Sequence, residues 1–215
     1  MITERAQLVR LQCFSGGNLF ALSRSLRARG PRSQEERCAS MARKIMIRSF
    51  GGVHPQIPES AYVDPSAQII GDVQLGEQSS VWCNAVLRGD MFYIRVGNRS
   101  NIQDNCVVHT RTREKPTVLE DEVTVGHSVT LHGCYIEQGS LIGIGSIVLD
   151  DARVGAHSLV AAGSLITPAT LIPPRSLVMG SPARVKRSLT EEEVASLSLF
   201  WQNYVTFTQK YLAEK

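Results

Sequence analysis

The chain has 215 residues, 43% of them hydrophobic and only 6% aromatic, with a formal charge of +3. That suits one globular domain with a real core, and no apolar run approaches the roughly 18–20 residues that a membrane-spanning helix needs. Five unclustered cysteines (Cys13, Cys38, Cys83, Cys106, Cys134) without a CxxC indicate neither a disulfide framework nor a cysteine zinc site, and fit a reducing compartment.

Charge is concentrated at the start. Residues 1–50 hold nine Arg and one Lys against three Glu, a balance of +7 that leaves −4 for the rest. No interleaved aromatics or recognition motif accompany these charges, so nucleic acid is not the expected partner. The stretch RLQCFSGGNLFALSRSLRARGPRS is Arg- and Ser-rich and nearly acid-free, as organellar transit peptides are. Met41 or Met46 could equally be the true start. Residues 1–45 are therefore expected to be a disordered basic extension outside the fold.

From Val63 an aliphatic recurs every six residues: Val63, Ile69, Leu75, Val81, Leu87. After a slip of three it resumes at Val96, Ile102 and Val108, and past a second break at Leu119, Val125 and Leu131. One residue short, it runs from Ile136 through Ile142, Val148, Val154, Val160, Ile166 and Ile172 to Val178. Glycine often follows the aliphatic (Gly76, Gly97, Gly126, Gly143, Gly155), which suggests corners that need its backbone freedom. A six-residue period predicts a single-stranded parallel β-helix over 46–187, all-β, with three hexamers closing a triangular coil of about 18 residues. Each inward aliphatic then stacks on its counterpart one coil away at about 4.8 Å. A β-sandwich would instead show alternation and tight hairpin turns.

His109 and His132 each follow an inward aliphatic directly and lie 23 residues apart, five of which belong to a loop around TRTREKP. The remaining 18 make one coil, so the two imidazoles stack on adjacent coils. His127 lies around a corner from them, and a neighbouring subunit could bring it to the pair. Three neutral imidazoles with a fourth position open are catalytic zinc ligation, whereas an isolated histidine is more often a structural hydrogen-bonding group. Arg88, Gly89 and Asp90, with Asn101, Gln103, Asp104 and Asn105, form a polar cluster nearby. It reads either as an interface network or as a solvated charged face.

The tail, 188–215, predicts an α-helix along the outside of the coils. Thr190 and Glu193 form a capping box, and Val194, Leu197, Trp201, Tyr204, Thr208 and Tyr211 fall on one stripe.

The stretches VLRGDMFYIRVGNRSNIQDNCVVHT, VTVGHSVTLHGCYI, IGIGSIVLDDARVGAHSLVAAGSL and IPPRSLVMGSPARVKR resemble the γ-class carbonic anhydrases and carbonic-anhydrase-like proteins of the hexapeptide-repeat superfamily, over roughly residues 46–212. The resemblance implies a left-handed β-helix, a homotrimer, and Zn2+ (or Fe2+ or Co2+) at each subunit interface. It implies reversible hydration of CO2 to bicarbonate by a zinc-bound hydroxide. His109, His127 and His132 match the metal ligands, and Arg88, Asp90 and Asp104 the inter-subunit ion pairs. Gln103 and Tyr204 match active-site residues; Asn203 is a weaker counterpart of the family's asparagine. Met91 and the basic loop depart from the archaeal pattern, leaving Glu114 as the loop's one carboxylate and suggesting slow turnover or another route of proton export. Alternatives are metal-dependent hydrolysis of a small substrate such as a thioester, a metal-free acyltransferase, and a non-catalytic assembly subunit. The expected location is cytoplasmic, or mitochondrial if residues 1–40 are a transit peptide.

Overall fold

A computed structural model describes residues 46–112 and 115–214. The basic extension lies outside the described residues, and so does Glu114. The chain winds into a left-handed parallel β-solenoid of about seven coils with three faces, followed by one helix.

Every aliphatic of the six-residue period points inward. On one face Ile69, Leu87, Val108, Leu131, Val148 and Ile166 pair in register. On the second, Leu75, Val96, Leu119, Ile136, Val154 and Ile172 do so. On the third, Val63, Val81, Ile102, Val125, Ile142, Val160 and Val178 do so. Apart from the half-buried Val63, these side chains are buried. No coil could bury them alone; stacking supplies the cover.

The two breaks in period are both outward excursions. Between Leu87 and Val96, the strand Val86–Val96 carries three extra residues, so Gly71 pairs with Gly89 but Val73 pairs with Ile94. Residues 90–93 are thereby pushed out of the coil. The second excursion is the loop between Val107–His109 and Thr117–Leu119.

The glycines after the inward aliphatics do a different job from the one expected. A Cβ on Gly97 would lie 2.3 Å from the Glu120 carbonyl carbon, and one on Gly155 would lie 2.5 Å from Pro174 N. These positions need glycine because the next coil's backbone passes too close for a side chain. Many left-handed corners are instead taken by other residues, among them Asn84 (φ 58), Asn105 (φ 60) and Ser128 (φ 58).

After Ser176–Gly180 the chain reverses and Ala183–Ser188 pairs with it antiparallel, covering the last edge of the third face. The helix Glu191–Ala213 follows, with the capping box of Thr190 and Glu193 in place. It returns along the solenoid to the first coils. There Tyr204 and Tyr211 pack their rings on Trp82, at centroid separations of 5.3 and 5.1 Å, and Tyr211 also meets Tyr62. No helix among the described residues is long and apolar enough to cross a membrane.

Candidate metal centre

The inward pairing of Leu87, Val108 and Leu131 carries the next residue of each strand outward in the same register. Arg88 therefore pairs with His109, and His109 with His132. His109 Nδ1 and His132 Nε2 face each other at 3.2 Å. The opposite nitrogen of each ring meets a carboxylate: His109 Nε2 lies 3.0 Å from Asp90 Oδ1, and His132 Nδ1 lies 2.6 Å from Asp150 Oδ1. Burial raises the Asp90 carboxyl, but hydrogen bonds from Arg88 and His109 outweigh it and hold the group below its ordinary value.

An ionised carboxylate only accepts hydrogen bonds, so each neutral ring must donate its proton to its carboxylate. The facing nitrogens then both present lone pairs. Two lone pairs cannot hydrogen-bond to each other; the gap calls for a shared proton or a cation. The donor set suits a cation of zinc's preferences, because bonds of about 2.0–2.1 Å to two nitrogens 3.2 Å apart meet at roughly 100°, near tetrahedral.

Both excursions from the period serve this pair. The first puts Asp90 beside His109 and also beside Arg88, whose Nη1 lies 2.6 Å from Asp90 Oδ2. Its backbone is held by the loop, since Phe92 N donates to Thr110 Oγ1 at 3.0 Å. The loop returns at Thr117, whose hydroxyl donates to the His109 carbonyl (2.6 Å) and accepts from Gly133 N (2.9 Å). One side chain thus ties together the backbones of the two histidine strands. On the loop itself, Lys115 pairs with Asp151 at 2.5 Å.

His127 is not brought to the other two histidines within the chain. It occupies the corner before Thr130–His132, with Nδ1 at 2.8 Å from Asp104 Oδ2. Among the described residues of this single chain, no three His, Cys, Asp or Glu side chains converge as a metal site. Gln103 precedes Asp104, is buried, and donates to Asn101 Oδ1 at 3.2 Å. Tyr204 reaches the same corner from the helix; burial first, then the charges of Asp104 and Cys106, push its hydroxyl up to about 12. The structure thus groups Gln103, Asp104, His127 and Tyr204 separately from Arg88, Asp90, His109 and His132. Asn203 is exposed on the helix and joins neither group.

Asp150 was not apparent from sequence. Its signal was available: it lies 18 residues after His132, one coil on. Around the two groups, Met91, Val107, Ile144 and Ile147 expose apolar side chains. Val107, on the His109 strand, and Ile147, on the strand beyond that of His132, face outward in register with Thr130.

No family model matches the chain. A carbonic anhydrase of Geobacillus kaustophilus is 47% identical over 168 residues, covering 78% of this chain and 92% of that one. The Arabidopsis thaliana protein named gamma carbonic anhydrase 1, mitochondrial, is 44% identical over 165 residues, covering 74% of this chain and 60% of its own length. A solved hexapeptide transferase family protein from Anaplasma phagocytophilum superposes with a TM-score of 0.74 at 40% identity, over 77% of this chain and 98% of that one.

Proposed function

The chain belongs to the γ-class carbonic anhydrase family, and from that premise we propose that it reversibly hydrates CO2 to bicarbonate at a zinc ion held between subunits of a homotrimer. The observation that carries the proposal is the facing lone pairs of His109 Nδ1 and His132 Nε2, 3.2 Å apart. His127 of an adjacent subunit supplies the third imidazole. A cyclic arrangement repeats that contact three times and closes, with the same two surfaces meeting at each interface. Exposed Val107, Ile144 and Ile147 give that contact its apolar area. Bound there, zinc would act as a Lewis acid and make water acidic enough to ionise near neutral pH; iron or cobalt could fill the same role.

The chain's own residues bind and orient. Gln103, next in sequence to the Asp104 that holds His127, and Tyr204, which feels the Asp104 charge, offer an amide and a protonated phenol to the oxygens of CO2 or bicarbonate. Arg88 and Asp90 orient His109 from one side, and Asp104 orients His127. Closure of the subunit contact excludes bulk water from all of these groups. Glu114 is the one carboxylate of a loop otherwise carrying Arg111, Arg113 and Lys115, a sparse provision for proton export that favours modest turnover.

Stopped-flow CO2 hydration by the zinc-loaded assembly tests the proposal: hydration no faster than a His127→Ala control would overturn it. Hydrolysis of a small thioester could use the same site, and a substrate screen with the same control separates the two. Among the described residues, Cys83, Cys106 and Cys134 are free thiols, which suits a reducing compartment such as the cytoplasm.

A further inference from the structure

Resting on the metal-site reading above, we infer that Asp150 is a positioning residue for that site: its carboxylate locks His132 as the Nδ1–H tautomer and holds the Nε2 lone pair toward His109. Three features of the chain support this. Asp150 Oδ1 accepts from His132 Nδ1 at 2.6 Å, a short distance that marks a charge-assisted hydrogen bond. Asp150 Oδ2 faces Arg111 Nη1 of the basic loop at 3.8 Å, so the carboxylate is approached by positive charge on its far side. Gly133 lies between the two groups in a left-handed conformation (φ +57), and a Cβ there would stand 2.5 Å from Asp150 Oδ1. Glycine at 133 leaves room for the carboxylate beside the ring.

A neutral histidine in water favours the Nε2–H form, which would place a proton where the metal-facing lone pair belongs. Asp150 reverses that preference before any metal arrives. The side chain is largely buried, at 21% exposure, so the bond is only partly screened by solvent. Asp90 holds His109 through the other ring nitrogen, in the Nε2–H form that water already favours, and the two carboxylates together set both lone pairs toward one point.

The test uses the full-length chain labelled with 15N in histidine. In the zinc-free protein, His132 should show a protonated Nδ1 and a bare Nε2. Asp150→Ala should shift it to a mixture dominated by Nε2–H, and the zinc-loaded variant should release zinc to a chelator about 10–100-fold faster than wild type. Asp150→Asn keeps an acceptor oxygen and should restore the tautomer and part of the retention. Gly133→Ala, which displaces the carboxylate without removing it, should resemble Asp150→Ala. If Asp150→Ala does not fold, as judged by thermal melting, Gly133→Ala decides the matter. Unchanged tautomer and unchanged zinc release in Asp150→Ala and Gly133→Ala would overturn the assignment. If instead His132→Ala retains zinc as tightly as wild type, it is the metal-site reading that fails, whatever the tautomer spectra show.

Discussion

His109 and His132 meet nitrogen to nitrogen across adjacent coils at 3.2 Å, with the far nitrogen of each ring bonded to its own carboxylate. With both rings neutral and donating to their carboxylates, the facing nitrogens present lone pairs that a cation or a shared proton would bridge. The same arrangement makes its consequences measurable.

Elemental analysis of the purified protein should find one zinc equivalent per chain. His109→Ala and His132→Ala should each weaken zinc by more than the roughly 10–100-fold typical of changes to groups that merely orient a ligand. Competition with a chromogenic chelator measures this, and full zinc retention by His109→Ala would contradict it.

If each site draws His109 and His132 from one subunit and His127 from the next, two inactive variants should complement each other. In trimers reassembled from equal amounts of His109→Ala and His127→Ala about one interface in four is intact, because both neighbours must be of the right kind. Activity near a quarter of wild type is expected in the mixture and none in either variant alone. A mixture as inactive as its components would place all three ligands in one subunit.

Gly155→Ala should destabilise the solenoid without touching the histidines. Its new methyl would stand 2.5 Å from Pro174 N in the next coil. Forced overpacking of this kind costs about 1–3 kcal/mol. Chemical denaturation should show the loss while zinc stoichiometry in the folded protein stays unchanged.

Alkaline stability should depend on Tyr135. Its hydrogen bond to Glu120, at 2.6 Å, and its burial push the phenol up to about 12. In the unfolded chain a tyrosine titrates near about 10. The contribution is thus complete below about pH 10 and is lost as pH rises toward about 12, because the unfolded chain releases its proton first. Tyr135→Phe should be less stable than wild type at neutral pH, and its stability should fall less steeply between pH 10 and 12. Parallel pH–stability curves for the two proteins would refute this.

What the sequence determined by itself is the coil. The aliphatics from Val63 to Val178 announce which residues point inward, because a closed triangular turn accepts one inward side chain every six residues. The same spacing put His109 over His132 once the loop's five residues were discounted. The capping box and the stripe through Tyr204 likewise follow from helical geometry alone. Spacing along a chain fixes register, and register was enough for these. It could not tell that Gly97 and Gly155 are required by the approach of the next coil, or that Ala183–Ser188 turns back to cover an edge. Nor could it separate Tyr204, packed on Trp82 within reach of the Asp104 charge, from the exposed Asn203 beside it. The partnership of Asp150 with His132, and with it the direction in which a lone pair points, was decided by the tertiary structure. That direction depends on which proton a side chain in the next coil will accept, a matter of ångströms and rotamers on which sequence period is silent.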